Sequence, residues 1–267
     1  YPACDKCLNA NNRTVVVNEL KKDENGYYPM DLEDLEKKIT SKTKILALCS
    51  PHNPVGRVWS KDELEKLANI CIKHNIIIVS DEIHSDITFK KFTPLASISK
   101  EIANQTITLN SAGKTFNIAG LNSAYAISKN QKILDKFKKI AQKREIQSIN
   151  FFGYIATKAA YDNGAIFVEE LKKYLLSNIE FTKNYLKKNN SKIDFKPPEA
   201  TYLLWLDFSR YNLSHNEIKN ILLTKSKIAL NDGVSFGNNG NGYFRLNLAL
   251  SQNSLEIALS QLSKEFL

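Results

Sequence analysis

The first two thirds of the chain alternate between short β-rich runs and segments with helical periodicity. The runs that predict strands are TVVVNEL (14–20), KILALCS (44–50), NIIIVSDEI (75–83), QTITLNS (105–111) and NSAYAIS (122–128). Several of them are apolar on both faces, as buried parallel strands are. Between them, residues 30–41 and 60–75 have helical patterns, and Ser60 with Glu63 has the spacing of a capping box. This alternation predicts an α/β domain with a mostly parallel sheet flanked by helices.

The last third of the chain has a different order of elements. Residues 166–189 contain no Gly or Pro and predict one long helix. It is followed by EATYLLWLDF (199–208), a helix near 215–226, KIALNDG (227–233), GYFRLNLAL (242–250) and a C-terminal helix. This order predicts a smaller α+β unit. We therefore expect a large domain over residues 1–168 and a small C-terminal domain over 169–267, entered through the long helix.

The net charge of +9 does not indicate a nucleic-acid partner. Only five of the 37 basic residues are Arg, the residue best suited to forked contacts with phosphates and guanine. The lysines occur as scattered pairs among Glu and apolar residues, which is typical of solvated helix faces. We therefore expect no nucleic-acid interface.

The sequence also predicts no membrane span and no metal site. No apolar stretch approaches the ~18 residues that a span needs, and the start of the chain does not read as a signal peptide. Cys4 and Cys7 form a CxxC pair, but Cys49 and Cys71 occur singly, so a second zinc-ligand pair is missing. We expect a cytoplasmic protein. Because the chain does not begin with Met, we also expect it to be a fragment.

The segment SAGKTFNIAG (111–120) raises the question of what Lys114 does. A phosphate-binding Walker loop would need a glycine at position 108, which is Thr. The S-x-x-K pattern of penicillin-binding enzymes is present from Ser111 to Lys114, but its companion motifs Ser-Asp-Asn and Lys-Thr-Gly are absent. Considered alone, Lys114 would be interpreted as a solvent-exposed loop lysine.

Lys114 is one of three polar residues that follow the ends of predicted strands, together with Asn53 and Asp81. Ligands gather at the carboxyl ends of parallel strands. Since Asp81 follows an apolar run, burial without a cationic partner would raise its pKa. A protonated heterocyclic nitrogen would satisfy it. A lysine for an imine and an anion for the ring nitrogen are the groups that a pyridoxal 5'-phosphate (PLP) enzyme needs.

Five segments in order along the chain resemble the fold-type I, class I/II aminotransferase superfamily of PLP enzymes. They are most similar to the cystathionine β-lyase branch of C–S lyases, which includes the maltose-regulon modulator type. The segments are SPHNPVGRVW (50–59), SDEIHSDI (80–87), SAGKTFNIAGLNSAY (111–125), EATYLLWLDF (199–208) and NDGVSFGNNGNGYFRLNLAL (231–250). Together they are highly specific and cover essentially the whole chain. The resemblance implies the PLP-dependent transferase fold and a homodimer.

The resemblance assigns a role to each matching position. It makes Lys114 the Schiff-base lysine and Asp81 the partner of the pyridine nitrogen. Asn53 would hydrogen-bond the cofactor's 3-hydroxyl and border the substrate, and Ser111 would contact the phosphate. Arg245 matches the arginine that binds the substrate α-carboxylate, a group that a forked guanidinium suits. A surface ion-pair arginine is the alternative interpretation of Arg245.

Further assignments concern aromatic residues and histidines. Tyr1 matches the aromatic residue that stacks on the cofactor ring. His84 occupies a position where many aminotransferases have tyrosine, so it is either a cofactor contact or a structural histidine. His52 receives no role. The resemblance also implies that an N-terminal part is missing, with its glycine-rich phosphate cup, its opening strand and the tyrosine that a partner subunit contributes.

The reaction implied by the resemblance is β-elimination from an amino acid with sulfur on Cβ. Lys114 would remove the α-proton, the thiolate would leave, and hydrolysis would give pyruvate and ammonia. The same residues support transamination, so an aminotransferase is the alternative function. A second alternative is a regulatory protein of the same fold that binds a transcription factor.

Overall fold

The computed structural model describes residues 2–146 and 150–266. These residues divide into two compact units. The central unit comprises Met30–His52 and Arg57–Glu170, and the terminal unit comprises the chain up to Pro29, Asn53–Gly56 and the chain from Leu171. The predicted domain boundary after residue 168 falls inside one helix and stays a prediction.

Five of the ten α-helices in the described residues were predicted from helical periodicity, at 30–41, 60–75, 166–189, 215–226 and the C-terminus, and the other five were not. In chain order they are α1 (Pro2–Ala10), α2 (Leu32–Lys38), α3 (Lys61–Lys73), α4 (Lys100–Gln105), α5 (Ala112–Thr115), α6 (Gln131–Lys143), α7 (Phe151–Asn163), α8 (Ala165–Lys188), α9 (His215–Thr224) and α10 (Gln252–Glu265). The predicted capping box of α3 is confirmed: Ser60 Oγ accepts from the Glu63 N–H at 3.2 Å, and the Glu63 carboxylate accepts from the Ser60 N–H at 2.8 Å.

The central unit contains a four-stranded sheet in the order β1-β2-β3-β4. Its strands are β1 (Ile45–Cys49), β2 (Ile77–Asp81), β3 (Thr106–Asn110) and β4 (Tyr125–Ile127). The first three are parallel, and β4 runs antiparallel to β3. The prediction of a mostly parallel sheet with flanking helices is confirmed. In α3, the side chains of Leu64, Leu67, Ala68 and Cys71 are buried, at the spacing of one helix face.

Two expectations about strands were wrong. Residues 14–20 form no strand with any part of the chain that the structure describes, and Val16 and Val17 are 61% and 55% exposed. A β-rich run becomes a strand only where another strand offers hydrogen-bond partners. The expected burial of both faces also fails at β1, where Ile45 is 55% exposed because β1 ends the strand order.

The terminal unit contains a three-stranded antiparallel sheet in the order β5-β7-β6. Its strands are β5 (Leu203–Asp207), β6 (Asn231–Asp232) and β7 (Tyr243–Asn247). Every residue of β5 is buried. In β7, Phe244 and Leu246 are buried while Arg245 is half-buried, because successive side chains of a strand face opposite sides of the sheet. The predicted strand over 227–233 is shorter than expected, since only its Asn-Asp pair joins the sheet.

No helix within the two described ranges is both long and apolar enough to span a membrane.

Candidate active site

The carboxyl ends of β2 and β3 bring two predicted site residues to one edge of the central sheet. Asp81 is the last residue of β2 and is paired with Leu109 of β3. Lys114 follows β3 closely, on the single-turn helix α5. Because β2 and β3 are parallel, both side chains start from the same edge. This edge is where open α/β sheets bind ligands.

The Asp81 carboxylate is half-buried at this edge. Its Oδ1 accepts a hydrogen bond from the Ile83 N–H at 3.2 Å. Burial raises the pKa of Asp81, and the Ile83 N–H and the Lys114 ammonium oppose that rise without cancelling it. The negative charge is therefore incompletely solvated. A cationic N–H group placed against this carboxylate would stabilise it.

The Lys114 side chain is half-buried. Among the described residues, no group accepts a hydrogen bond from its Nζ, and its charge acts on Asp81 through space. An amine held at a sheet edge in this way is available for bonding to a ligand. The structure thus brings Lys114 and Asp81 together as predicted, while their chemical roles stay predictions.

Two side-chain hydrogen bonds connect the loop after β2 to the last residue of β3 and to α5. The Asn110 amide donates to Ser85 Oγ at 2.9 Å, and the Thr115 hydroxyl donates to the Asp86 carboxylate at 3.0 Å. Asp81 precedes the first loop and Lys114 lies next to Thr115. These two bonds therefore help to fix the position of the loop after Asp81 relative to the segment that carries Lys114. These contacts were not predicted from the sequence. The four residues are polar, but nothing in the sequence indicates which of them pair.

Ser111 is the residue before α5 and is buried. Its Oγ accepts from the Gly113 N–H at 2.9 Å and donates to the Ser123 carbonyl at 2.5 Å. A Cβ on Gly113 would lie 3.0 Å from Ser111 Oγ and 3.1 Å from Ala119 Cα, so a larger residue would crowd this turn. Ser111 therefore has a structural role as an N-cap. Its predicted contact with a phosphate stays a prediction.

The histidines differ in their surroundings. His84 is only 4% exposed and lies in the loop after β2, where its carbonyl accepts from the Ile87 N–H at 3.1 Å. His52 packs edge-on against Trp59, with ring centroids 5.7 Å apart. Burial, reinforced by the Arg57 guanidinium, lowers the pKa of His52, so its ring is neutral at physiological pH. Tyr1, predicted to stack on a cofactor ring, lies outside the described residues.

In the terminal unit, Arg245 is held by two amides. Its Nη1 donates to Asn53 Oδ1 at 2.7 Å, and its Nη2 donates to Asn231 Oδ1 at 2.9 Å. Both acceptors are neutral, so these bonds orient the guanidinium without cancelling its charge. Asn53 and Arg245 were predicted from the sequence, and their direct contact is new. Asn231 was missed, because its side chain gave no signal before the β6–β7 pairing was known.

The segment Asn53–Gly56 is fixed by its own glycine. Gly56 has a φ of +70°, and a Cβ there would lie 2.4 Å from Pro198 Cβ. Its carbonyl accepts from the Glu199 and Ala200 N–H groups at 2.8 and 3.1 Å. Only glycine permits both the left-handed backbone and this close approach. The position of Asn53 therefore depends on a tight junction three residues away.

No group of three or more His, Cys, Asp and Glu side chains in the described ranges is placed to hold a metal ion.

The sequence matches a known family and a curated relative over most of its length. The sequence profile of the family Aminotransferase class I and II matches residues 1–262. Cystathionine beta-lyase PatB of Bacillus subtilis (strain 168) is 38% identical over 255 residues, which are 94% of this chain and 66% of PatB. The chain thus spans about two thirds of the length of this relative.

Two solved structures have the same fold. One is a PLP-bound protein from Clostridium difficile 630 that is assigned as an aminotransferase. It is 48% identical to this chain, with a TM-score of 0.96, and the match covers 98% of this chain and 68% of that protein. Cystalysin from Treponema denticola, which contains a PLP cofactor, is 33% identical, with a TM-score of 0.93 over 99% of this chain and 68% of the other. The fold-class prediction is confirmed by these likenesses.

Proposed function

This chain belongs to the class I and II aminotransferase family, and we propose that the whole protein is a PLP-dependent C–S β-lyase of the cystathionine β-lyase type. It cleaves S-substituted L-cysteines, with water, to a thiol, pyruvate and ammonia; cystathionine gives homocysteine as the thiol. The observation that carries the proposal is the placement of Asp81 and Lys114 together at the carboxyl edge of β2 and β3.

The residues at this edge fit the cofactor. PLP has a ring nitrogen that can be protonated and an aldehyde that reacts with amines. The half-buried Asp81 carboxylate, whose pKa burial raises, suits a protonated ring nitrogen, which would supply both a positive charge and an N–H donor. The Lys114 amine has no hydrogen-bond acceptor among the described residues and is a primary amine of the required kind.

Four residues of the central unit are proposed to hold the cofactor. Lys114 holds it through Nζ, and Asp81 binds the ring nitrogen. Ser111 contacts the phosphate, which requires its hydroxyl proton to turn from the Ser123 carbonyl. His84, in the loop that follows Asp81, is a further contact. The proposed stacking by Tyr1 rests on the resemblance alone.

Asn53 and Arg245 are proposed to supply the remaining polar contacts. Asn53, whose Oδ1 accepts from Arg245, is proposed to hydrogen-bond the cofactor's 3-hydroxyl through its amide. Two amides orient the guanidinium of Arg245, and it binds the α-carboxylate of the amino acid.

Each residue then has a defined task during the reaction. When bound, PLP supplies an electron-withdrawing ring that stabilises negative charge at the substrate Cα. Arg245 fixes the carboxylate and so orients the Cα–H bond. Once the substrate amine has replaced it on the cofactor, the freed Lys114 Nζ would accept the α-proton as a general base. Asp81 keeps the proton on the ring nitrogen throughout, because its negative charge stabilises the protonated ring. The thiolate then leaves Cβ, and hydrolysis of the remaining three-carbon fragment gives pyruvate and ammonia.

The choice of lyase over aminotransferase is supported by the similarity to PatB. The family profile and the aminotransferase assignment of the Clostridium difficile protein favour transamination as the second candidate. We place the protein in the cytoplasm as a homodimer whose small-molecule substrate is an amino acid.

A comparison of two assays tests the function. The whole protein, loaded with PLP, is incubated with cystathionine and with S-substituted cysteines, and pyruvate and ammonia are measured. The proposal predicts equal amounts of pyruvate and ammonia without any added keto acid. Formation of a keto acid product only when a second keto acid is supplied would instead establish the aminotransferase.

A further inference from the structure

The guanidinium of Arg245 is held along one edge by a residue with no assigned role. Asn231 lies opposite Arg245 in the antiparallel β6–β7 pair, and its Oδ1 accepts from Arg245 Nη2 at 2.9 Å. This bond complements the one from Nη1 to Asn53. Since the two terminal nitrogens are bound to different amides, the rotation of the guanidinium within its own plane is restricted.

The face of the same guanidinium is supported by an aromatic ring. The Arg245 Cζ lies 4.9 Å from the centroid of the Phe236 ring, within the range of a cation–π contact. Phe236 in turn packs edge-on against Trp205, with centroids 5.6 Å apart. Trp205 is opposite Arg245 on the other neighbouring strand, β5. The ring therefore limits the tilt of the guanidinium, while the amides limit its rotation.

The position of Asn231 is itself anchored through the next residue. Asp232 accepts hydrogen bonds from the Val234 N–H at 3.0 Å, from His215 Nε2 at 2.8 Å and from Lys219 Nζ at 2.9 Å. Because His215 Nδ1 accepts from the Gly242 N–H at 3.1 Å, its Nε2 is the nitrogen that carries the proton donated to Asp232. A strand of only two residues is thus fixed in place beside β7.

We propose that Asn231 and Phe236 are positioning residues that preset the Arg245 guanidinium for an α-carboxylate. The inference rests on the proposed function, in which Arg245 binds that carboxylate. A long arginine side chain loses considerable rotamer freedom when it is fixed, and presetting it removes part of that cost from binding. The affinity of a ligand without a carboxylate should not depend on how the Arg245 guanidinium is oriented.

The consequence is measurable as a difference between two ligands of the PLP-loaded whole protein. L-Alanine has the α-carboxylate, and ethylamine has the amine without it. The dissociation constants of both are obtained from the change in cofactor absorbance, which requires no turnover. For Asn231→Ala and Phe236→Leu, the loss of an oriented charge-assisted contact predicts about tenfold weaker alanine binding. Ethylamine binding should change less than about twofold, because the amine does not reach Arg245.

Two further variants make the outcomes distinguishable. Asn238→Ala is the matched control, since Asn238 is exposed and makes no side-chain hydrogen bond among the described residues. Arg245→Lys reports on the proposed function itself. If Arg245→Lys weakens alanine binding but neither Asn231→Ala nor Phe236→Leu does, the positioning role is overturned while the function stands. Equal weakening of both ligands by Asn231→Ala would also overturn it. If Arg245→Lys leaves alanine binding unchanged, the carboxylate role of Arg245 fails.

Discussion

The Arg245 guanidinium donates a 2.7 Å hydrogen bond to the Asn53 amide, although the two residues are 192 positions apart in the sequence. This bond joins the short segment after β1 to the middle of β7. It fixes the orientation of the Asn53 amide oxygen. It also makes the orientation of Arg245 depend on Asn53, so a change at Asn53 should affect carboxylate binding by Arg245.

Arg245→Lys should mainly weaken substrate binding. Lysine keeps the charge but loses the forked geometry, and one charge-assisted hydrogen bond is worth about 1.5–3 kcal/mol. We expect kcat/KM for cystathionine to fall at least about tenfold, mostly through KM, because the carboxylate is held before and during proton transfer. Cofactor absorbance should not change. Arg210→Lys is the control, since Arg210 is 66% exposed in its ion pair with Asp194. Unaltered KM in Arg245→Lys would reject the role.

Asp81→Asn should separate cofactor binding from catalysis. The amide can still accept from the Ile83 N–H but cannot keep a ring nitrogen protonated. Loss of this electrostatic stabilisation should lower kcat by at least about 100-fold while most of the cofactor absorbance remains. Steady-state kinetics and absorbance spectra measure both. Asp62→Asn, at a side chain that is 73% exposed, should behave as wild type. Near-normal turnover by Asp81→Asn would contradict the account.

Gly56→Ala should destabilise the junction that positions Asn53. At a φ of +70°, with Pro198 Cβ only 2.4 Å from the new Cβ, either the backbone or the proline must move. The expected loss of stability is about 1–3 kcal/mol, measured by thermal unfolding. Gly120→Ala is the matched control, because a Cβ there meets nothing within 4 Å. Equal melting temperatures for the two variants would show that the junction tolerates a side chain.

Acid should remove part of the stability of the terminal unit through Asp207. Burial would raise the pKa of Asp207, but Lys22 at 2.8 Å, together with Ser209 and Tyr243, outweighs burial and lowers it. A carboxyl with a lowered folded pKa adds stability above its unfolded pKa of about 4 and loses it as the pH falls through the folded value.

The corresponding test compares wild type with Asp207→Asn in urea at pH 7 and at pH 3. At pH 7 the variant should be less stable by about 1.5–3 kcal/mol, the value of a charged hydrogen bond. At pH 3 the difference should shrink, because protonation begins to neutralise the wild-type carboxylate too. A difference that is the same at both pH values would mean that the ion pair does not contribute.

The parts of the fold that follow local rules were predictable from the sequence. The capping box of α3 depends on two residues three positions apart, so its pattern is visible in the chain. The edge that carries Asp81 and Lys114 was predictable because parallel strands place their carboxyl ends together. Both predictions required only spacing and periodicity.

The parts that depend on distant partners were not predictable. Residues 14–20 have strand composition, yet the run finds no partner strand in the described chain and leaves Val16 and Val17 exposed. The role of Asn231 arises only from its pairing with β7, 14 positions away. In the same way, the contact of Thr115 with Asp86 depends on the register of two parallel strands. Composition cannot report such pairings.

Reduction of the PLP-loaded whole protein with borohydride, followed by peptide mapping by mass spectrometry, tests the cofactor site most directly. The account predicts that the cofactor is fixed to the peptide that contains Lys114, and that Lys114→Ala abolishes this labelling while Lys129→Ala does not. Lys129 lies just beyond β4 and has no proposed role. Labelling of any lysine other than Lys114 in the wild-type protein, or persistent specific labelling in Lys114→Ala, would contradict the assignment.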